Sequence, residues 1–187
     1  MLKVPLHFTA NEDSSTVSLD CYDEIDEMKY DSWCEFKYSM TGKDDDWSDY
    51  IAGQVINLNK DEIVYFKAKQ GNVKENPNLN GFHKTVTDVI EDEECSVYHR
   101  FKIKGSVKAG GNIQFLLENT GTKMDVPYFC YCQMFHDCKS LTQAPILPAK
   151  TLAGLCYYYM FNNCTSLTNA YFPNLDSDTV INEIVGN

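Results

Sequence analysis

Residues 130–144 read Cys130-Tyr131-Cys132-Gln133-Met134-Phe135-His136-Asp137-Cys138-Lys139-Ser140-Leu141-Thr142-Gln143-Ala144. Residues 156–170 read Cys156-Tyr157-Tyr158-Tyr159-Met160-Phe161-Asn162-Asn163-Cys164-Thr165-Ser166-Leu167-Thr168-Asn169-Ala170. Nine of the fifteen positions are identical at a constant offset of 26. A period of this size marks stacked supersecondary units, each too small to bury its apolar face alone.

The repeat carries its own packing instructions. Met134, Phe135, Met160 and Phe161 supply large apolar wedges. Cys138 and Cys164 suit a tight inner corner, because cysteine is a small buried hydrophobe. Leu141 and Leu167 point inward from a short strand. Pro145 and Pro148 end that strand and set an extended return. These eight apolar residues are the expected repeat core, and the period falls in the leucine-rich-repeat range. Tyr131 and Tyr157 read as core, while Tyr158 and Tyr159 fit either core or an exposed contact surface.

Residues 1–119 lack the repeat. Period-two patterning recurs at Val4/Leu6/Phe8, Val17/Leu19, Cys34/Phe36/Tyr38/Met40, Ile56/Leu58, Ile63 to Ala68, Val97/His99/Phe101/Ile103 and Ile113/Phe115/Leu117. Such runs, bounded by Gly, Asn and Asp, predict antiparallel strands. Gly110-Gly111-Asn112 predicts a hairpin turn before Ile113. The expected fold class is mainly β: an N-terminal antiparallel, Ig-like β-sandwich over residues 1–119. A short leucine-rich-repeat-type solenoid of about two repeats, with a C-terminal cap, follows over residues 120–187.

The pattern Cys-Tyr-x-x-Met-Phe-x-x-Cys-x-Ser-Leu-Thr-x-Ala-Pro-x-Leu-Pro-Ala resembles the BspA-like leucine-rich repeats. The second copy departs from it after Ala170, where Tyr171-Phe172-Pro173-Asn174-Leu175 stands, and Asp176 to Asn187 breaks it. Pro5-Leu6-His7-Phe8-Thr9-Ala10, Ser15-Thr16-Val17-Ser18-Leu19, Phe36-Lys37-Tyr38-Ser39, Trp47 and Gly105-Ser106-Val107 resemble, more diffusely, the leading domain that precedes such repeats. The resemblance implies a surface-exposed structural or adhesion role in bacteria, protists or bacteriophages.

Net charge is −11, from 16 Lys+Arg against 27 Asp+Glu. This argues against nucleic acid and against anionic membrane surfaces. No apolar run approaches the roughly 20 residues of a transmembrane helix. Residues 1–119 hold 22 acidic and 13 basic side chains, and residues 120–187 hold five and three. The less charged, more aromatic repeat is therefore the expected contact face.

The candidate sites have simpler readings. Asp44-Asp45-Asp46-Trp47-Ser48-Asp49 could ligate calcium, but it lacks the spacing and glycine of an EF-hand loop and reads as a solvated hairpin tip. Glu91-Asp92-Glu93-Glu94 reads as a solvated loop. Cys130, Cys132 and Cys138 lack zinc-ligand spacing, with His136 alone beside them, and the eight cysteines read as free thiols. Trp33 and Trp47 read as sandwich core rather than a sugar site. A Cys/His nucleophile pair would need His7, His83, His99 or His136 beside a thiol. His99 in its strand pattern reads as a satisfied core or edge residue. Asn163-Cys164-Thr165 matches a glycosylation sequon that the repeat already explains.

These readings lead to a non-enzymatic protein with no catalytic, cofactor or metal site. Its expected partners are protein subunits, in a homo-oligomer or a virion, and a host surface protein or glycan. Export needs a leader, and Met1-Leu2-Lys3-Val4-Pro5 has no signal-peptide pattern. A phage virion component made in host cytoplasm reconciles this with the surface role. The alternatives are a fragment of a secreted bacterial adhesin, and a glycan-active or thiol-dependent hydrolase.

Overall fold

The computed structural model describes residues 3–23, 28–72, 79–80, 82–87 and 94–174; the side chains of residues 79–80, 86–87 and 94–95 are outside the description. The protein is mainly β. Its strands are β1 (Leu6–Ala10), β2 (Ser15–Asp23), β3 (Phe36–Ser39), β4 (Ser48–Tyr50), β5 (Ile56–Leu58), β6 (Ile63–Ala68) and β7 (Leu79–Asn80). They continue as β8 (His83–Thr87), β9 (Glu94–Lys104), β10 (Val107–Gly110), β11 (Asp125–Val126), β12 (Leu141–Gln143) and β13 (Thr151–Leu152). One sheet runs β12-β10-β1-β6-β3-β4, a second runs β5-β2-β9-β8-β7, and β11 pairs with β13 alone. The sheets are open rather than closed on themselves.

The alternating apolar residues explain how the two larger sheets meet. Leu6, Phe8, Val64 and Phe66 of the first sheet and Val17, Leu19 and Phe101 of the second are buried in one apolar cluster. Phe101 lies 4.8 Å from Phe8 and 5.6 Å from Phe66, ring centre to ring centre. Tyr50 joins the sheets by polar contacts: its hydroxyl accepts the Leu19 N–H at 2.8 Å and donates to the Gln54 carbonyl at 2.6 Å. In the second half of β2 both faces are buried, including Asp20 and Asp23. There residues 28–30 pair along the edge of β2, with the Tyr30 N–H donating to the Cys21 carbonyl, and the side chains of Tyr30 and Trp33 pack against Cys21 and Val97.

The same cluster continues without a break into Cys130, Tyr131, Met134, Phe135, Leu141, Tyr157 and Met160. Residues on either side of position 119 thus share one core. The strand β12 also pairs in parallel with β10, so a strand of the repeat completes the first sheet.

The two copies of the repeat form stacked coils. In the first, the N–H groups of Tyr131, Gln133, Phe135 and Asp137 donate to the carbonyls of Cys156, Tyr158, Met160 and Asn162. The intervening N–H groups close local turns, as Met134 to Tyr131 and Cys138 to Phe135. Every fourth residue must then turn left-handed: φ is positive at Phe129, Gln133 and Asp137, and again at Leu155, Tyr159 and Asn163. The first coil is itself stacked on the second sheet, because Phe82, just before β8, and Phe101 of β9 donate their N–H groups to the carbonyls of Cys130 and Met134.

Three expectations fail locally. Leu141 stands on β12, but Leu167 lies in no strand and is only partly covered, since no further strand pairs beyond it among the described residues. Ile113, Phe115 and Leu117 do not form a strand; Ile113–Leu116 is a 3₁₀ turn with all four residues buried. Asn112 caps it, its side chain accepting the Gln114 N–H, and the buried Gln114 accepts the Tyr131 hydroxyl at 2.6 Å. Alternation in the sequence misleads here because Gln114 is an inward polar residue with a tertiary partner. Gly110-Gly111-Asn112 is likewise no hairpin: Asn112 bridges in parallel to both Pro5 and Ile146. Gly111 adopts φ +73°, where a Cβ would collide with the Pro5 carbonyl. Close backbone approach, rather than a two-residue turn, requires this glycine. The expected cap, Asp176 to Asn187, lies outside the described residues.

Because one core spans both halves, damage in the coil should propagate to the sheets. Phe135→Ala is expected to cost about 3–5 kcal/mol. The fluorescence of Trp33 and Trp47, which sit in the sheet half, should report that loss as a lower denaturant midpoint in a single transition.

Candidate functional site

The eight residues expected as repeat core occupy equivalent places in the two coils. Their coverage differs. Met134, Phe135, Cys138 and Leu141 are buried, as are Met160 and Cys164, but Phe161 and Leu167 are only partly covered. The cysteines share one role. Cys138 Sγ donates to the Phe101 carbonyl at 3.1 Å, and Cys164 Sγ donates to the Phe135 carbonyl at 3.0 Å. A small side chain with a weak donor fits this inner corner.

Tyr131 and Tyr157 are fully buried and stacked 5.6 Å apart. Tyr158 and Tyr159 are half-buried instead, with ring centres 4.0 Å apart. Hydrogen bonding to Tyr159, foremost, holds the Tyr158 phenol above its ordinary pKa. Tyr159 sits at φ +51°. Left-handed backbone costs a non-glycine residue about 1–2 kcal/mol. Asn163 at the third left-handed position donates its side-chain amide to the Asp137 carboxylate of the coil before it. That bond, rather than a glycosylation role, accounts for the asparagine.

The other candidates disperse. Asp46 Oδ2 accepts from Ser39 Oγ, Thr41 Oγ1 and the Thr41 N–H, and these bonds hold its carboxyl below the usual range. Asp49 pairs with Lys69 at 2.9 Å. The acidic stretch therefore shapes its hairpin. Of Glu91-Asp92-Glu93-Glu94, the first three lie outside the described residues, and Glu94 opens β9. Among the described residues no group of three metal-ligating side chains converges. The seven described cysteines are buried thiols; the side chain of Cys95 is outside the description. Trp33 packs edge-on to His99 at 4.3 Å, whereas Trp47 lies outside the main cluster with Lys67 Nζ 3.9 Å above its ring.

One cluster is absent from any sequence pattern. His99 Nε2 lies 2.9 Å from Ser32 Oγ, and its Nδ1 faces the Phe82 carbonyl at 3.3 Å. The Cys21 thiol shares the Ser32 hydroxyl, and burial pushes that thiol up to about 12. Sixty-seven residues separate serine from histidine, so only the placement of the segment before β3 across β9 could reveal the pair. The arrangement resembles a nucleophile and base, but His99 is fully enclosed and burial lowers its pKa to about 4. A base this acidic and this closed has little driving force to accept a proton near neutrality. Its evident work is to tie Ser32 and Trp33 to the sheet. His83 is comparable: burial lowers it to about 4, and its ring stacks on Phe129 of the first coil at 4.6 Å.

Comparison with protein-family models, with curated proteins and with solved structures found no match.

Two measurements follow from these environments. Burial raises the thiols of Cys138 and Cys130 well above, and that of Cys164 to about 12. Peptide-resolved alkylation of native protein should leave all three unmodified under conditions that label them fully in denaturant. His99, neutral when folded, favours the native state above its ordinary pKa of 6.5; as pH falls from 6.5 towards 4 the unfolded chain takes up the proton first. Stability should therefore drop by about 3 kcal/mol across that window on account of His99 alone. Denaturant titrations through the window should show the drop, and a shallower one in His99→Asn.

Proposed function

We propose that this chain is a non-enzymatic structural or adhesion protein whose repeat region makes protein or glycan contacts, as a component of a phage virion. In this reading residues 1–119 are an Ig-like sandwich. They carry a two-repeat solenoid of the BspA-like leucine-rich-repeat type, with Tyr158 and Tyr159 at its contact surface. One observation carries the reading. Phe135 and Leu141 are fully buried beneath the second coil, while their counterparts Phe161 and Leu167 are not. A coil of this kind needs a neighbour on each side, so the second coil supports a role in contact with another subunit or a receptor.

The tyrosines agree with it. Two adjacent half-buried aromatic rings, one on unfavourable left-handed backbone, fit a contact surface. No described helix is long and apolar enough to cross a membrane, which is compatible with both a virion and a cell-surface location. The bacterial adhesin reading differs only in how the chain reaches the surface.

Light scattering after size exclusion tests the subunit part directly. The full chain is expected to run as a defined oligomer, and Tyr158→Ala with Tyr159→Asn is expected to shift it to monomer. The asparagine tolerates positive φ, so the pair should leave the melting temperature unchanged or slightly raised. A parent chain that is monomeric at all concentrations would remove self-assembly and leave only receptor contact.

A further inference from the structure

Beside the coils lies a cavity of about 370 Å³, within the range of small-ligand sites. Its floor is the parallel ladder in which Asn112 bridges Ile146 and Ile146 bridges Tyr171. Its walls are apolar: Met124, Ile146, Pro148, Tyr171 and Pro173 line it. Tyr171 is 63% exposed, while its neighbour Phe172 packs against the core.

Lys150 supplies the one charged side chain of the lining. It is exposed, and no described carboxylate lies within ion-pair distance of it. Lys29, Lys37 and Lys69 by contrast each hold an aspartate. The lining amides are already committed. Asn112 donates to the Gly121 carbonyl and accepts from Gln114, and Asn174 donates to the Pro148 carbonyl. What the cavity offers a ligand is therefore an aromatic and proline wall with one lysine among its lining residues.

We infer that this cavity binds a small carboxylate attached to a flat apolar body, with the body against Tyr171 and Met124 and the carboxylate on Lys150. The assignment rests on shape and charge complementarity: apolar walls favour the body, and the unpaired ammonium orients it. It stands apart from the contact reading of the coils, since none of Tyr158, Tyr159, Phe161 and Leu167 lines the cavity.

Methionine methyl NMR tests it, because Met124 lies in the wall while Met134 and Met160 are fully buried in the core. Protein carrying carbon-13 methionine methyls is titrated with phenylacetate and, separately, with the neutral phenylacetamide. The Met124 signal, assigned through Met124→Leu, should move saturably with the acid and not with the amide. Met134 and Met160 should stay still. Lys150→Gln should weaken the acid by about tenfold, the worth of one charge-assisted hydrogen bond, and Tyr171→Ser should weaken it too. Equal response to acid and amide, no saturable response, or an unchanged response in Lys150→Gln would each overturn the assignment. Unmoved Met134 and Met160 signals in the variants show that they remain folded.

Discussion

The ring of Phe135 lies parallel between those of Phe101 and Phe161, at 5.2 and 5.4 Å and 10° from each. This column depends on Phe101, which faces Phe8 and Phe66 across the sheets. One aromatic residue of β9 therefore belongs both to the sheet core and to the first layer of the repeat. A second column runs from Phe36 through Phe82 and Tyr131 to Tyr157. Offset stacking of this kind adds about 0.5–1.5 kcal/mol per pair beyond the apolar area it buries. It also sets the spacing at which the backbone hydrogen bonds between layers can form.

Backbone and side chains are thus bound to the same repeat distance. The N–H of Phe101 reaches the Met134 carbonyl, and the N–H of Phe135 reaches the Met160 carbonyl. The thiols echo this, with Cys138 on the Phe101 carbonyl and Cys164 on the Phe135 carbonyl. A sheet strand stands where a preceding coil would be. This is how the two copies are held: the layer before the first copy is supplied by Phe101 of β9 and by Phe82 ahead of β8, far away in sequence. The left-handed residues are the cost of the arrangement, at about 1–2 kcal/mol each where the side chain is not glycine, and the burial of the columns offsets it.

The same constraint makes the molecule uneven. Phe135 and Leu141 of the first copy are sealed, whereas Phe161 and Leu167 of the second are partly open, and Tyr158 and Tyr159 beside them are half-buried. Histidines lie at the sealed seams. His99 ties the segment before β3 to the sheet, and His83 lies between sheet and first coil. Both are neutral because they are buried, which couples the integrity of the seams to acidity.

That residues 130–144 and 156–170 are two copies of one pattern was legible from residues alone. Identical residues at a constant offset point to equivalent places in the chain path, and Met, Phe, Cys and Leu at those positions favour an apolar interior, although Phe161 and Leu167 are covered less than Phe135 and Leu141. Most strands of residues 1–119 were legible too, since alternation reports a half-buried sheet. Where β2 is buried on both faces, and where Gln114 points inward, alternation carried no such information. Tertiary structure alone decided that the sheets and coils share one core. It also decided that β12 completes the first sheet, that Ser32 meets His99, and that Lys150 lines one cavity with Met124, Ile146 and Tyr171. Each joins segments distant in the chain, and pattern within a segment records which face is buried but not what it is buried against.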